Sequence, residues 1–98
     1  MAFKVLITER ANQDLANIVR YVARDRRTAA ERLGYSLIDA VKLLADFPAM
    51  GRVVPERNSP NIREIIQGPY RIIYRVDEDR KTVEVLRFWH AARGNPQS

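Results

Sequence analysis

The hydrophobic period of this chain switches from a helical repeat over residues 9–47 to a strand repeat over residues 62–89, and that switch limits what it can fold into. Apolar residues spaced by three and four mark one face of a helix, whereas alternation marks a half-buried strand. Ala11, Leu15, Ile18 and Val22 form the first helical stripe, with Gln13, Asn17, Arg20 and Arg24 on the opposite face. Thr8 offers an N-cap and Glu9 an acidic first turn. Ala30, Leu33, Leu37, Val41 and Leu44 form the second stripe. Thr28 with Glu31 has the spacing of a capping box, and Pro48 predicts a stop near Asp46 or Phe47. The link Asp25–Arg27 is short and polar, so the two helices should fold back as an antiparallel hairpin.

A first strand is expected over Ala2–Ile7, with Phe3, Val5 and Ile7 on one face. Three more are expected over Ile62–Gln67, Tyr70–Val76 and Thr82–Trp89, where β-branched and aromatic residues are dense. Gly68-Pro69 and Asp77–Lys81 supply the turns. Pro48–Asn61 reads as a loop of roughly a dozen residues, a length often associated with function. The expectation is an α+β fold in the order β-α-α-β-β-β: an N-terminal strand, the helix hairpin, then a three-stranded antiparallel meander with the helices on one face. At 98 residues the chain has room for one domain, expected over 1–93, with a frayed tail at 94–98.

If Gly68-Pro69 is a two-residue turn, Gln67 opposes Tyr70, Ile66 opposes Arg71 and Glu64 opposes Ile73. Glu64, Ile66, Arg71, Ile73 and Arg75 then share one side, and Arg63, Ile65, Tyr70, Ile72 and Tyr74 the other. The second set is more apolar and aromatic, so it should lie under the helices. Arg71 and Arg75 should project from the open face, each needing a partner. Glu64 or Glu84 could supply it as a structural ion pair, or a phosphate or acidic protein group could.

Composition removes several function classes. There is no cysteine and a single histidine, His90, so a thiolate zinc site and a thiol nucleophile are excluded and no metal site is expected. No glycine-rich nucleotide loop occurs, and no cofactor is expected. Ser36 and Ser59 lack an elbow sequence. No apolar run reaches the roughly 18 residues of a membrane span, so no membrane partner is expected. With no signal-like start either, the expected location is the cytoplasm. The net charge of +5 favours acidic partners. The basic residues most available to a target are Arg52, Arg71, Arg75 and Arg93, with His90. For RNA cleavage, Glu56 could serve as base, Arg71 as phosphate clamp and His90 as acid.

Gly68-Pro69-Tyr70-Arg71-Ile72-Ile73-Tyr74-Arg75-Val76, then Val83-Glu84-Val85-Leu86, then His90 and Arg93, resemble the RelE/ParE toxin superfamily. Ala11, Asp14-Leu15, Ile18 and Tyr21, then Phe47-Pro48, Gly51-Arg52 and Pro55, agree with it. The resemblance implies a plasmid-stabilisation type of module: a toxin held inactive by a neighbouring gene's antitoxin, a ParD-like DNA-binding dimer whose C-terminal segment folds on the toxin. It also implies one of two targets, DNA gyrase for the ParE branch or ribosome-bound mRNA for the RelE branch. Glu56, Arg71 and His90 match the RelE-branch catalytic positions, but Ala91 stands where an aromatic residue is usual, and lysines are few. The ending His90-Ala91-Ala92-Arg93 is closer to the ParE branch. Removing Arg71 or His90 from a ParE-type toxin is expected to leave it folded. Val19, Tyr21, Tyr35 and Leu43, lying off the core stripes, are the candidate antitoxin contacts.

Overall fold

The computed structural model describes residues 2–96. Its elements are β1 (Lys4–Ile7), α1 (Glu9–Ala23), α2 (Arg27–Leu43), β2 (Arg52–Val53), β3 (Ile62–Gln67), β4 (Tyr70–Asp77), β5 (Thr82–His90) and a short 3-10 turn at Ala91–Arg93. The five strands form one sheet in the order β1-β5-β4-β3-β2. β1 runs parallel to β5 at one edge, and the other pairs are antiparallel. The fold is therefore α+β as expected, but the sheet is mixed and larger than a three-stranded meander.

The helix hairpin covers one face of the sheet. Leu37 and Val41 from α2, its C-cap Leu44, and Ala11 from α1 meet Ile65, Ile72 and Tyr74, all buried. Phe3, Val5 and Ile7 pack against the same core, which is why β1 can close that edge. The β3–β4 register follows the turn: Gln67 opposes Tyr70, Ile66 opposes Arg71 and Glu64 opposes Ile73. Gly68 holds a φ of 58°, which glycine adopts without a β-carbon penalty.

The two helix starts differ. Thr8 does cap α1: its Oγ1 accepts from the Ala11 N–H at 3.2 Å and donates to the Val85 carbonyl at 2.9 Å. The Thr28–Glu31 capping box does not form, because α2 begins two residues earlier than that cap would set it. Arg26 is its N-cap, without a side-chain bond, and Thr28 lies inside the first turn. Thr8→Ala should therefore cost about 0.5–2 kcal/mol. Thr28→Ala should stay within about 0.5 kcal/mol of the parent. Paired denaturant melts of the two variants check this.

Two further elements differ from expectation. Within Pro48–Asn61, Arg52 and Val53 form an edge strand opposite Glu64 and Arg63. Val54 is then fully buried with Ile62 and Ile73 on the face away from the helices, with Leu86 against them. The loop thus roofs part of the expected open face with a small second core. At β5 the pairing slips: Ile73 opposes Arg87 but Tyr74 opposes Val85, leaving Leu86 as the extra residue of a bulge. Val83 and Val85 face the helices before the bulge, and Phe88 does so after it.

Candidate functional site

Arg71 lies on the face away from the helices, but it does not project into solvent. Its side chain is only 9% exposed. Its Nε donates to Glu64 Oε1, and its Nη2 donates to Glu56 Oε2 at 2.6 Å. The Glu64 carboxylate is fully buried and also accepts from Arg52 Nε at 2.6 Å. Arg71 Nη1 reaches Gly94 O at 3.5 Å and Asn95 Oδ1 at 3.4 Å. Two carboxylates and two guanidiniums thus tie the loop, the sheet and the chain end together. The stretch expected to fray begins with held residues, Gly94 also accepting from Trp89 Nε1 at 2.8 Å and Pro96 being buried. Gln97 and Ser98 lie outside the described residues.

The bond from Arg71, with help from backbone and nearby guanidinium charge, holds the Glu56 carboxyl below its ordinary value near 4.5, against the opposing effect of burial. For Arg71, burial works against the charge, yet the bonds from Glu56 and Glu64 outweigh it and raise its pKa. The sign of the resulting pH effect follows. A carboxyl whose folded pKa is depressed adds stability above its unfolded pKa, and that stability disappears as pH falls through the folded value. Glu56→Gln should therefore flatten the fall in stability below pH 4.5. Urea midpoints of both proteins across acid pH check it.

His90 is elsewhere. It opposes Tyr70 on β4, and Tyr70 belongs to the core under the helices. The bulge at Leu86 is what puts it there; unbroken alternation from Val83 and Val85 would have set His90 beside Arg71. The His90 ring meets the Tyr70 ring edge-on, centroids 5.2 Å apart, and its Nδ1 accepts from the Ala92 N–H. Glu56 and Arg71 are therefore brought together, and His90 is held apart from them by the sheet. Arg75 pairs with Glu84 at 3.3 Å at the surface. Arg52 remains largely exposed beside Glu64, and Arg93 lies over the Trp89 ring at 4.1 Å.

The four expected antitoxin contacts also separate. Tyr35 is 73% exposed on α2. Leu43 lines a groove of about 470 Å³ between α2 and β3, together with Met50 and Ile66. Phe47 and Val53 add further exposed apolar surface on the loop after α2. Tyr21, 70% exposed, sits away from that groove beside His90 and Arg93. Val19 is half-buried between the helices, where a β-carbon on Gly34 would lie 3.4 Å from its Cγ2.

Sequence reading passed over Asp14 as more than a resemblance position. Its carboxylate takes Arg87 Nε at 2.6 Å, Arg87 Nη2 at 3.1 Å and the Phe88 N–H at 3.2 Å. β1 stops opposite Val85, so β5 has a bare edge beyond it, and Asp14 satisfies a donor there. The signal was a carboxylate on the apolar side of α1.

A helix hairpin on one face of a five-stranded mixed sheet, with a loop and chain end locked over the other by buried ion pairs, defines a RelE/ParE-type toxin fold. The sequence matches, over residues 5–94, the family described as the ParE toxin of the type II toxin-antitoxin system, parDE. The chain belongs to that family. Toxin RelE1 of Caulobacter vibrioides is 39% identical over 95 residues, covering 92% of this chain and 95% of the relative. A putative toxin, Y4kP, of Sinorhizobium fredii is 38% identical, covering 92% and 90%. The toxin-antitoxin complex RelBE2 from Mycobacterium tuberculosis matches at a TM-score of 0.72 and 23% identity, covering 92% of this chain and 99% of that one. The chromosomal ParDE system from P. aeruginosa matches at 0.73 and 23%, covering 91% and 96%. At those identities the two structures speak for the fold.

Proposed function

We propose that this chain is a ParE-like toxin that acts by binding DNA gyrase, without cutting RNA, and is neutralised by an antitoxin dimer. The observation that carries this reading is the fate of the Glu–Arg–His set. Phosphate stabilisation needs a cation with free donors aimed at the reacting oxygens. Arg71 spends its donors on Glu64 and Glu56, and both carboxylates would repel a phosphate brought near. An acid at His90, on the far side of the sheet, cannot reach the same atom.

Family membership supports a toxin, and the toxin–antitoxin complexes among its fold relatives support an antitoxin partner. The exposed apolar groove beside Leu43, with Tyr35 nearby on the same helix, is the surface proposed for it. A cytoplasmic site of action follows from either target. The RelE name of the Caulobacter relative favours a second reading, a ribosome-dependent mRNA endoribonuclease. The two are separated by mapping mRNA 5′ ends in a reconstituted translation reaction. No new ends are expected with the purified chain. New ends that disappear with Glu56→Gln or His90→Ala would establish the nuclease.

A further inference from the structure

The turn of the helix hairpin carries the densest positive charge of the chain. Arg20, Arg24, Arg26, Arg27 and Arg32 stand there against only Asp25 and Glu31. α1 starts where Thr8 bonds to Val85, and its Tyr21 lines a cavity with His90, the last residue of β5. The turn that follows therefore lies past that end of the sheet. Residues 23–28 are all exposed. Little of the charge is used internally. Arg27 lies 3.8 Å from Glu31 with both side chains mostly in water, and such a pair is worth little. Arg20 donates to the neutral Asn17. Arg24, Arg26 and Arg32 make no ion pair among the described residues.

This placement works against the fold. Arg26 is the N-cap of α2 without a side-chain cap bond, Arg27 follows it, and no acidic residue stands in the first turn. Aligned peptide dipoles disfavour cations at that end of a helix, and neighbouring guanidiniums repel one another. A local cost with no internal contact to offset it points to a partner rather than to stability. The composition of the turn selects the partner. Residues 22–34 hold no aromatic side chain and no exposed large hydrophobic residue. A protein partner would need an apolar centre, a membrane an apolar face to insert, and a single strand rings on which its bases stack. A duplex needs none of these. It offers one phosphate charge per about 1.7 Å of its axis, and guanidiniums take phosphate oxygens through paired N–H bonds.

We infer that the hairpin turn is a docking surface for the phosphodiester backbone of a nucleic-acid duplex, with Arg24, Arg26 and Arg27 at its centre and Arg20 and Arg32 at its flanks. It uses neither the Arg71 network nor the groove beside Leu43, and so goes beyond the toxin reading.

The test is fluorescence anisotropy of a short labelled DNA duplex, and of the RNA duplex of the same sequence, titrated with the full chain from about 20 to about 200 mM salt. Binding that falls steeply with salt is expected, and a preference for either duplex names the source of the backbone. Arg24→Gln, Arg26→Gln and Arg27→Gln together should flatten the slope of log affinity against log salt by roughly 2.7, and weaken binding at least about tenfold in low salt. Lys4→Gln, Arg80→Gln and Lys81→Gln remove the same charge at the opposite end of the sheet, where Lys4 opposes Thr82. At that distance salt screens the charges, so affinity should change less than about threefold. Amide shifts of the unmodified, isotope-labelled chain should centre on residues 23–32, which decides the matter even if a variant fails to fold. Equal losses from the two triple variants, shifts centred elsewhere, salt-independent binding or no binding of either duplex would each overturn the inference. So would tighter binding of a single strand, of polyglutamate or of phosphatidylserine vesicles.

Discussion

Arg71→Ala should unfold much of this protein, at a cost of roughly 3–5 kcal/mol, because it leaves a buried carboxylate without its main partner. Glu64 has no solvent exposure, and Arg71 is its buried cation. Arg52 still touches one oxygen, but from a guanidinium that is two-thirds exposed and cannot replace the lost bond. The loss approaches the whole stability of a small domain, about 5–15 kcal/mol. From sequence alone, with Arg71 projecting into water, its removal is expected to leave the fold intact. The loop and chain end that close over it reverse that expectation. Removing both charges, with Arg71→Met and Glu64→Leu together, should recover most of the loss, since an apolar pair of similar volume needs no counter-charge. Urea unfolding of the two single variants and the double closes the cycle. Near-additive losses would show that the pair does not hold the fold.

Gly51→Ala should also be severely destabilising, for want of space. A β-carbon there would lie 2.6 Å from the Tyr74 hydroxyl oxygen and closer still to the Glu64 carbonyl oxygen. The second neighbour is strand backbone and cannot step aside. Tyr74 is fully buried, and its hydroxyl accepts from the Gly51 N–H at 2.9 Å and donates to the Pro48 carbonyl at 2.8 Å. Burial raises the pKa of that hydroxyl, and the bond from Gly51 opposes the rise, so it stays a neutral donor. Overpacking costs about 1–3 kcal/mol, occasionally more, and a displaced loop forfeits these bonds as well. Tyr74→Phe should cost about 1–3 kcal/mol by the bonds alone, with no clash. Thermal melts that rank Gly51→Ala below Tyr74→Phe would agree. A Gly51→Ala protein as stable as the parent would mean the loop packs differently.

The parts of the fold legible in the sequence are those set by local period and turn chemistry. The helix stripes, the Thr8 cap and the β3–β4 register all follow from neighbours within a few residues. Strand alternation also offers Glu64 and Glu84 as partners for two strand arginines, Arg71 and Arg75. What was not legible depends on tertiary choices. Thr28–Glu31 has capping-box spacing, yet Arg26 is the N-cap and the helix begins at Arg27. Val54 looks like one apolar residue in a polar loop, and only the sheet beneath it makes it core. The site suffered most from the bulge. One extra residue at Leu86 reverses every later side chain of β5, so a period-two reading sends His90 to the wrong face.

The most direct test of the account is a gyrase supercoiling assay with the purified chain, run beside a translation reaction probed for mRNA cleavage. Blocked supercoiling with intact mRNA is the predicted result. It would leave Arg71 and Glu56 as the lock that holds the loop. Normal supercoiling with cleaved mRNA would contradict the account and require the loop to open, freeing Arg71 for a phosphate.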